Sequence, residues 1–376
     1  MSVIPKSRRV YPYNNGLLLG GEVDIILSNI NSEPVDAAKL FEVDKIYSID
    51  KTGGGEAIIA NQVGNHFKVV NGMIRLIPKL SYCRGYATDN FWWSMKNAVT
   101  MLKKRAFLSF LPFLMDEDFV KPENNGMTYI AGGHVSCHVI TQSLYDTSIC
   151  GKLHKMTYDK THESHERLKN NIRLLIGIPS TLFDRRESAE YRRRNFAPND
   201  QNEFRYDNND RFVYQTPTNY WIFTPALCHF ILGALRMTYF ITYNQIEEEI
   251  WEGFEPGDVN CAIAKSDYDV AQSIWDMVKG RLGESGYQQA ENPFWSHRAI
   301  ALDFLFDNGL HMLTGGVYSN WQMKRRKNNY QGHFNQLPSW DAGITGKILT
   351  TNNPNYPLWE KFKENYERRE KERTAC

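Results

Sequence analysis

Phe67-Lys-Val-Val-Asn-Gly-Met-Ile-Arg-Leu-Ile77 is the stretch that decides how this chain begins to fold. Two short apolar runs are separated by Asn71-Gly72 alone. Asn-Gly supplies the two left-handed positions of a tight hairpin turn, so the pattern predicts paired antiparallel strands. Working outward, Glu56-Ala-Ile-Ile-Ala60 precedes the hairpin, and Lys45-Ile-Tyr-Ser-Ile-Asp50 alternates apolar and polar before Thr52-Gly53-Gly54-Gly55 breaks it. Further upstream, Gly21-Glu-Val-Asp-Ile-Ile-Leu-Ser28 is rich in branched residues and runs into an Asn-rich turn. Residues 17–80 are therefore expected to form a small, mainly antiparallel β region.

Near residue 85 the apolar period changes from two to three and four. Asp89 is positioned to cap a helix running to Pro112, with Trp92, Met95, Val99, Leu102, Ala106 and Phe110 on one stripe and Lys96, Lys103 and Lys104 off it. A second helix fits 161–176, capped by Thr161 and stopped by Gly177 and Pro179. A third starts at Thr224-Pro225, a cap followed by a first-turn proline, and is expected to end before Gly253. A fourth fits Ser266 to Leu282, with Ala271, Ile274, Trp275 and Val278 facing inward. Two more are expected over 296–313 and from Pro357 onward. The fold class is α+β, a small N-terminal antiparallel β region followed by a predominantly α-helical body. The expected division is a β-rich region over 1–85 and a helical body over 86–376. A long polar excursion at 184–211 interrupts the body, because that stretch shows no apolar period.

Composition bounds the function classes. Of 376 residues, 42% are apolar and 23% charged, which excludes disorder and fibrous repeats. The 44 basic and 43 acidic residues nearly cancel, so no global field draws the chain to nucleic acid or membrane. Six cysteines, at 83, 137, 150, 228, 261 and 376, lack pairing rhythm, which points to reduced thiols. The basic N-terminus has no apolar run after it, so no secretory leader is expected. The apolar run Tyr220–Tyr243 carries His229 and Arg236 in its middle and reads as a buried helix rather than a membrane span. A cytoplasmic or virion location follows, with no membrane partner.

Catalytic chemistry is weakly signalled. His134, His138, His154, His162 and His165 fall close together with Cys137 and Cys150, ligand types that zinc prefers. His162-Glu163-Ser164-His165 spaces its histidines three apart rather than four, however, so it is not the HExxH motif. The glycines at 53–55 lack the lysine and the following helix of a phosphate loop and read as a tight turn. Asp116-Glu117-Asp118 and Glu247-Glu248-Glu249 read as solvated charge. No metal, no other cofactor and no catalytic residue is assigned.

The most informative local feature is 308–340, which contains no acid and centres on Lys324-Arg325-Arg326-Lys327, flanked by Trp321, Tyr330, Phe334 and Trp340. Cations with interleaved rings are how single-stranded nucleic acid is held. Arg185, Arg186, Arg192, Arg193 and Arg194 form a second cationic stretch. Both are expected at contact surfaces, to a neighbouring subunit or to nucleic acid. The function expected is a self-assembling structural protein of the capsid or nucleocapsid kind. Its partners are further copies of itself and RNA. The alternatives are a hydrolase using the 134–165 histidines and a nucleic-acid-binding component of a multiprotein complex.

Overall fold

The computed structural model describes residues 16–28, 34–35, 37, 48–50, 56–59, 66–70, 73–81, 84–101, 109–111, 132–140, 147–185, 187–196, 200–207 and 210–284. Its axis is strand β1 (Leu17–Ser28), longer than the run that predicts it because Leu17 and Leu19 alternate inward as well. Short strands β2 (Pro34–Val35), β3 (Ser48–Asp50) and β4 (Glu56–Ile59) follow. The hairpin lies where Asn71-Gly72 puts it: β5 (His66–Val70) pairs antiparallel with β6 (Met73–Ile77), and Val70 lies opposite Met73.

The class is α+β, but the sheet does not end near residue 85. Strand β1 pairs with β6 on one side and with β8 (Gly133–Val139) on the other. The sheet then runs on through β10 (Phe212–Tyr214) to β9 (Phe204–Tyr206). One antiparallel sheet thus joins the N-terminal strands to strands far along the chain. Val135 to Ile140, which sequence period leaves open between helix and strand, is extended.

Helix α1 (Arg84–Met101) starts five residues before Asp89, which is buried within it. It does not continue to Pro112. Residues 102–108 lie outside the described residues, and Ser109–Leu111 is strand β7, paired to β1. A residue preceding proline is pushed toward extended backbone, so Pro112 acts one residue upstream of itself.

Helices α2 (Thr147–Tyr158) and α3 (Glu163–Ile172) follow. His162 rather than Thr161 caps α3, its ring nitrogen accepting the Ser164 amide, while the Thr161 hydroxyl is turned to Asp159 at 2.7 Å. Gly177 and Pro179 do not stop this helix. A wider π turn over Arg173–Gly177 carries the chain into α4 (Ile178–Phe183), with the Ile178 amide donating to the Arg173 carbonyl. Such a turn re-phases the backbone, so Pro179 falls in the first turn of α4, where a missing N–H costs nothing. The Arg173 guanidinium closes on the buried Glu203 carboxylate at 2.7 Å and 3.0 Å.

The polar stretch 184–211 also needs correction, since most of it is ordered secondary structure. It forms α5 (Glu187–Phe196), α6 (Asp200–Glu203) and β9. It lacks an apolar period because Arg192 and Arg193 take buried positions of α5 that a hydrophobic pattern would fill with hydrocarbon.

Helix α7 (Pro225–Asn244), capped by the Thr224 hydroxyl, is the centre of the core. It is long and apolar enough to cross a membrane, yet 94% of its apolar window is buried inside the fold. It ends at Asn244, before Gly253 as expected, with Gln245 in the left-handed conformation as its cap. Beyond it lie α8 (Glu247–Ile250) and α9 (Pro256–Lys265), the latter unforeseen from the sequence, and then α10 (Tyr268–Glu284). Ala271, Ile274, Trp275 and Val278 of α10 are buried, as the spacing predicts. The helices expected over 296–313 and from Pro357 lie outside the described residues.

Two glycines let backbones meet where β1, β8 and the approach to α7 converge. A Cβ on Gly133 would stand 2.1 Å from the Thr218 carbonyl oxygen and 2.4 Å from Trp221 Nε1, and one on Gly21 would stand 2.1 Å from the His134 carbonyl oxygen. Gly151, exposed in α2, has nothing within 4 Å of such an atom. Gly133→Ala is therefore expected to cost about 1–3 kcal/mol or more through overpacking. Gly151→Ala is expected to gain about 1 kcal/mol from helix propensity. Urea unfolding of the two variants checks the opposite signs.

Candidate functional site

The 134–165 histidines do not converge. His134 is buried on β8, and His165 is buried on α3, where its Nδ1 meets the Met156 carbonyl oxygen at 3.0 Å. His138 Nδ1 lies 3.2 Å from the Asp210 carbonyl oxygen. His154 is exposed beside the Tyr158 ring, and His162 serves as a helix cap. Cys137 Sγ contacts the Tyr239 hydroxyl at 2.9 Å, and Tyr239 in turn contacts Thr157. Burial pushes the Cys137 thiol up to about 12, so the thiolate a nucleophile requires is suppressed. Among the described residues no group of three or more His, Cys, Asp or Glu side chains is arranged to hold a metal ion.

The arginines at 185–194 divide. Arg192 and Arg193 are not at a contact surface: they are 3% and 1% exposed. Arg192 Nε donates to the carbonyls of Gln215 at 3.1 Å and Pro217 at 3.0 Å, and Nη2 also donates to Gln215. Burial lowers its pKa to about 10, against the opposing pull of Asp24. Arg193 donates to the Ser266 hydroxyl and to the Asp184 carbonyl, both at 2.9 Å. A guanidinium's fixed fork satisfies several carbonyls at once, so an arginine can seal a core where a lysine could not. Arg185 and Arg194 are exposed, Arg185 standing 5.0 Å from the centre of the Tyr268 ring. Arg186, Trp321, Lys324, Arg325, Arg326, Lys327 and Tyr330 lie outside the described residues.

A surface lies beside the exposed arginines. Among the described residues the large apolar side chains more than a third exposed are Tyr191 on α5 and Val270 and Met277 on α10. Their helices are tied together, with the Tyr268 hydroxyl donating to Glu190 and Arg193 reaching Ser266 just before α10. Val270 and Met277 stand seven residues apart, on one face of the helix.

Next to this surface is an open cleft of about 610 Å³. Arg167, Asn170 and Asn171 of α3 form one wall. Glu247 and Glu248 of α8, the turn Trp251–Glu255, and Pro256 and Asp258 of α9 form the rest. The floor is fixed by Asn171, which accepts from Trp251 Nε1 at 2.7 Å and donates to Thr242 at 2.8 Å. Glu255 and Asp258 lock the start of α9 as a capping box. Arg167 Nε and Glu247 Oε1 face one another at 3.7 Å, beyond hydrogen-bond reach. Desolvation raises the Glu247 carboxyl above the usual carboxylate range, although the Arg167 charge pulls the other way. Gly253, at φ +86°, turns the chain at the cleft edge, and a Cβ there would lie 4.0 Å from Met277 Sδ.

Glu247-Glu248-Glu249 read as solvated charge in the sequence, because nothing local shows that α3 lies opposite them. The turn signal that places them, a left-handed Gln245, carries no glycine to reveal it. No known protein family, curated protein or solved structure matches the chain.

His134 yields a pH prediction. Burial first, then the charges of Arg192, Arg75 and Arg205, hold its pKa well below 6.5. The folded state keeps the ring neutral while the unfolded chain takes a proton, so this site's contribution is intact above pH 6.5 and is lost as pH falls below it. The loss approaches about 1.4 kcal/mol per pH unit until the folded-state pKa is reached. His134→Gln is expected to flatten that part of the stability profile between pH 6.5 and 5 relative to the wild type, read by urea melts at stepped pH.

Proposed function

We propose that the chain is a self-assembling structural subunit of the capsid or nucleocapsid kind, resident in the cytoplasm or in a virion. The observation that carries this reading is the exposed set Tyr191, Val270 and Met277 on two linked helices, with Arg185 and Arg194 also exposed. Aromatic residues, methionine and arginine are the types enriched where protein surfaces meet. A formal charge of +1 adds little mutual repulsion between copies. The segment from Trp321 to Tyr330 supplies the second contact, to a neighbouring subunit or to packaged RNA.

The hydrolase alternative is disfavoured by what the histidines and Cys137 already do. His165 and His162 are engaged with their own helix surroundings, and Cys137 is a buried thiol facing Tyr239.

Sedimentation of the wild type at neutral pH is expected to give particles many times the 43.6 kDa chain mass. Replacing Tyr191, Val270 and Met277 together by Asp is expected to reduce them to monomers with an unchanged helical spectrum. A wild type that stays monomeric at every concentration overturns the reading.

A further inference from the structure

Charge in this near-neutral chain is sorted rather than mixed. Between Arg236 and Lys265 there is no lysine or arginine, and six acids fall within that span: Glu247, Glu248, Glu249, Glu252, Glu255 and Asp258. Between Asp307 and Asp341 there is no acid, and Lys324-Arg325-Arg326-Lys327 stands at the middle. Five of the six acids line the cleft, opposite a single arginine, Arg167.

Two guanidinium groups of the same chain already pack here, Arg167 within the cleft and Arg281 against the turn that follows α8. Arg281 donates to the Ile250 carbonyl at 3.0 Å and to that of Glu252, with its charge 6.0 Å from the centre of the Phe254 ring. Arg167 packs against Glu247 and reaches Glu163 at 3.7 Å. The partly buried Trp251 adds a second ring beside Phe254, their centroids 5.4 Å apart. Carboxylates and aromatic faces together are the chemistry that recognises Arg and Lys side chains.

We infer that the cleft between α3, α8 and the start of α9 receives the Lys324–Lys327 segment of a second copy of this chain. The inference rests on the self-assembly reading and names its contact. Met277, on the exposed face of α10, borders the cleft at Gly253. One copy then offers the acidic side and the next the basic side. Such a head-to-tail contact propagates into a ring or a filament according to whether its rotation closes. Opposed patches of this kind set register and speed encounter, and they weaken with salt.

The test uses the full chain in three forms. One is Glu248→Lys with Glu252→Lys, both positions being exposed and neither a partner in the α9 capping box. The second is Lys324, Arg325, Arg326 and Lys327 all changed to Glu. The third carries both sets. Each single form is expected to sediment as a monomer with the wild-type helical spectrum. An equimolar mixture of the two is expected to recover assembly well beyond the 43.6 kDa chain mass, because the intact basic segment of the first meets the intact cleft of the second and the reversed segment of the second meets the reversed cleft of the first. The third form, with its charges exchanged, is expected to recover assembly at least tenfold over either single form.

Wild-type assembly that the cleft substitutions leave intact overturns the inference while the self-assembly reading stands. Single forms whose mixture stays monomeric overturn it as well, since a segment filling the cleft of its own copy cannot complement in trans. Loss of RNA retention without loss of assembly in the second form assigns the segment to nucleic acid and overturns it too. A monomeric wild type removes the self-assembly reading itself. Should the lysine variant fail to fold, Glu248→Gln with Glu252→Gln gives the same comparison, with weakened assembly expected and unchanged assembly contradicting.

Discussion

Close contact between the backbone of β8 and the segment leading into α7 is the constraint on which the rest of the fold depends. Gly132 forms an isolated bridge with Thr218, and the Gly133 amide donates to the Pro217 carbonyl at 3.1 Å. The Trp221 indole donates back to the Gly133 carbonyl at 3.1 Å, which seats a fully buried ring under the sheet. Asp24 closes the same junction from β1: it takes Arg75 at 2.6 Å and the Gly132 amide at 3.2 Å, while its carbonyl accepts from Asn219 at 2.8 Å. Arg192 then reaches in from α5 to hold the carbonyls of Gln215 and Pro217. Side chains on the glycines would hold these backbones apart. Without Arg192 the Pro217 carbonyl would keep only the Gly133 amide and the Gln215 carbonyl would lose the guanidinium, and a buried polar group left unmet costs about 1–3 kcal/mol. The position of α7 follows from this junction, and α3, which packs on α7, with α8 and the start of α9 forms the cleft.

The parts legible in the sequence were those fixed by local rules. The Asn71-Gly72 hairpin, the Thr224-Pro225 start of α7 and the inward face of α10 all follow from turn chemistry, capping or period. The parts that were not legible depend on contacts distant in sequence. The 184–211 stretch looked like a polar excursion because Arg192 and Arg193 occupy buried positions that a hydrophobic pattern leaves blank. The stop expected at Gly177 and Pro179 did not occur, because a π turn re-phased the helix before the proline. The start of α9 was missed because a capping box of Glu255 and Asp258, rather than a serine or threonine, begins it. The cleft was hidden for the same reason as the sheet's true extent: both join segments that are far apart along the chain.

The candidate site was half visible. Reading 185–194 as cationic surface was right in residue type but uniform where the structure is not, since Arg185 and Arg194 face outward and Arg192 and Arg193 inward. Glu247 and Glu248 were visible as charge but not as a wall. Their shared cleft with Arg167 and Trp251 gives the acidic stretch a shape, and the acid-free 308–340 gives it a complement within the same sequence.

The central claim, that one copy's basic segment sits in the next copy's acidic cleft, is tested most directly by zero-length carboxyl-to-amine cross-linking. Wild-type chains of natural and of heavy nitrogen would be mixed, assembled together and cross-linked. The account predicts peptides joining Lys324 or Lys327 of one isotope to Glu248 or Glu252 of the other. Cross-links confined to pairs of the same isotope, or none between these residues in assembled material, would contradict it.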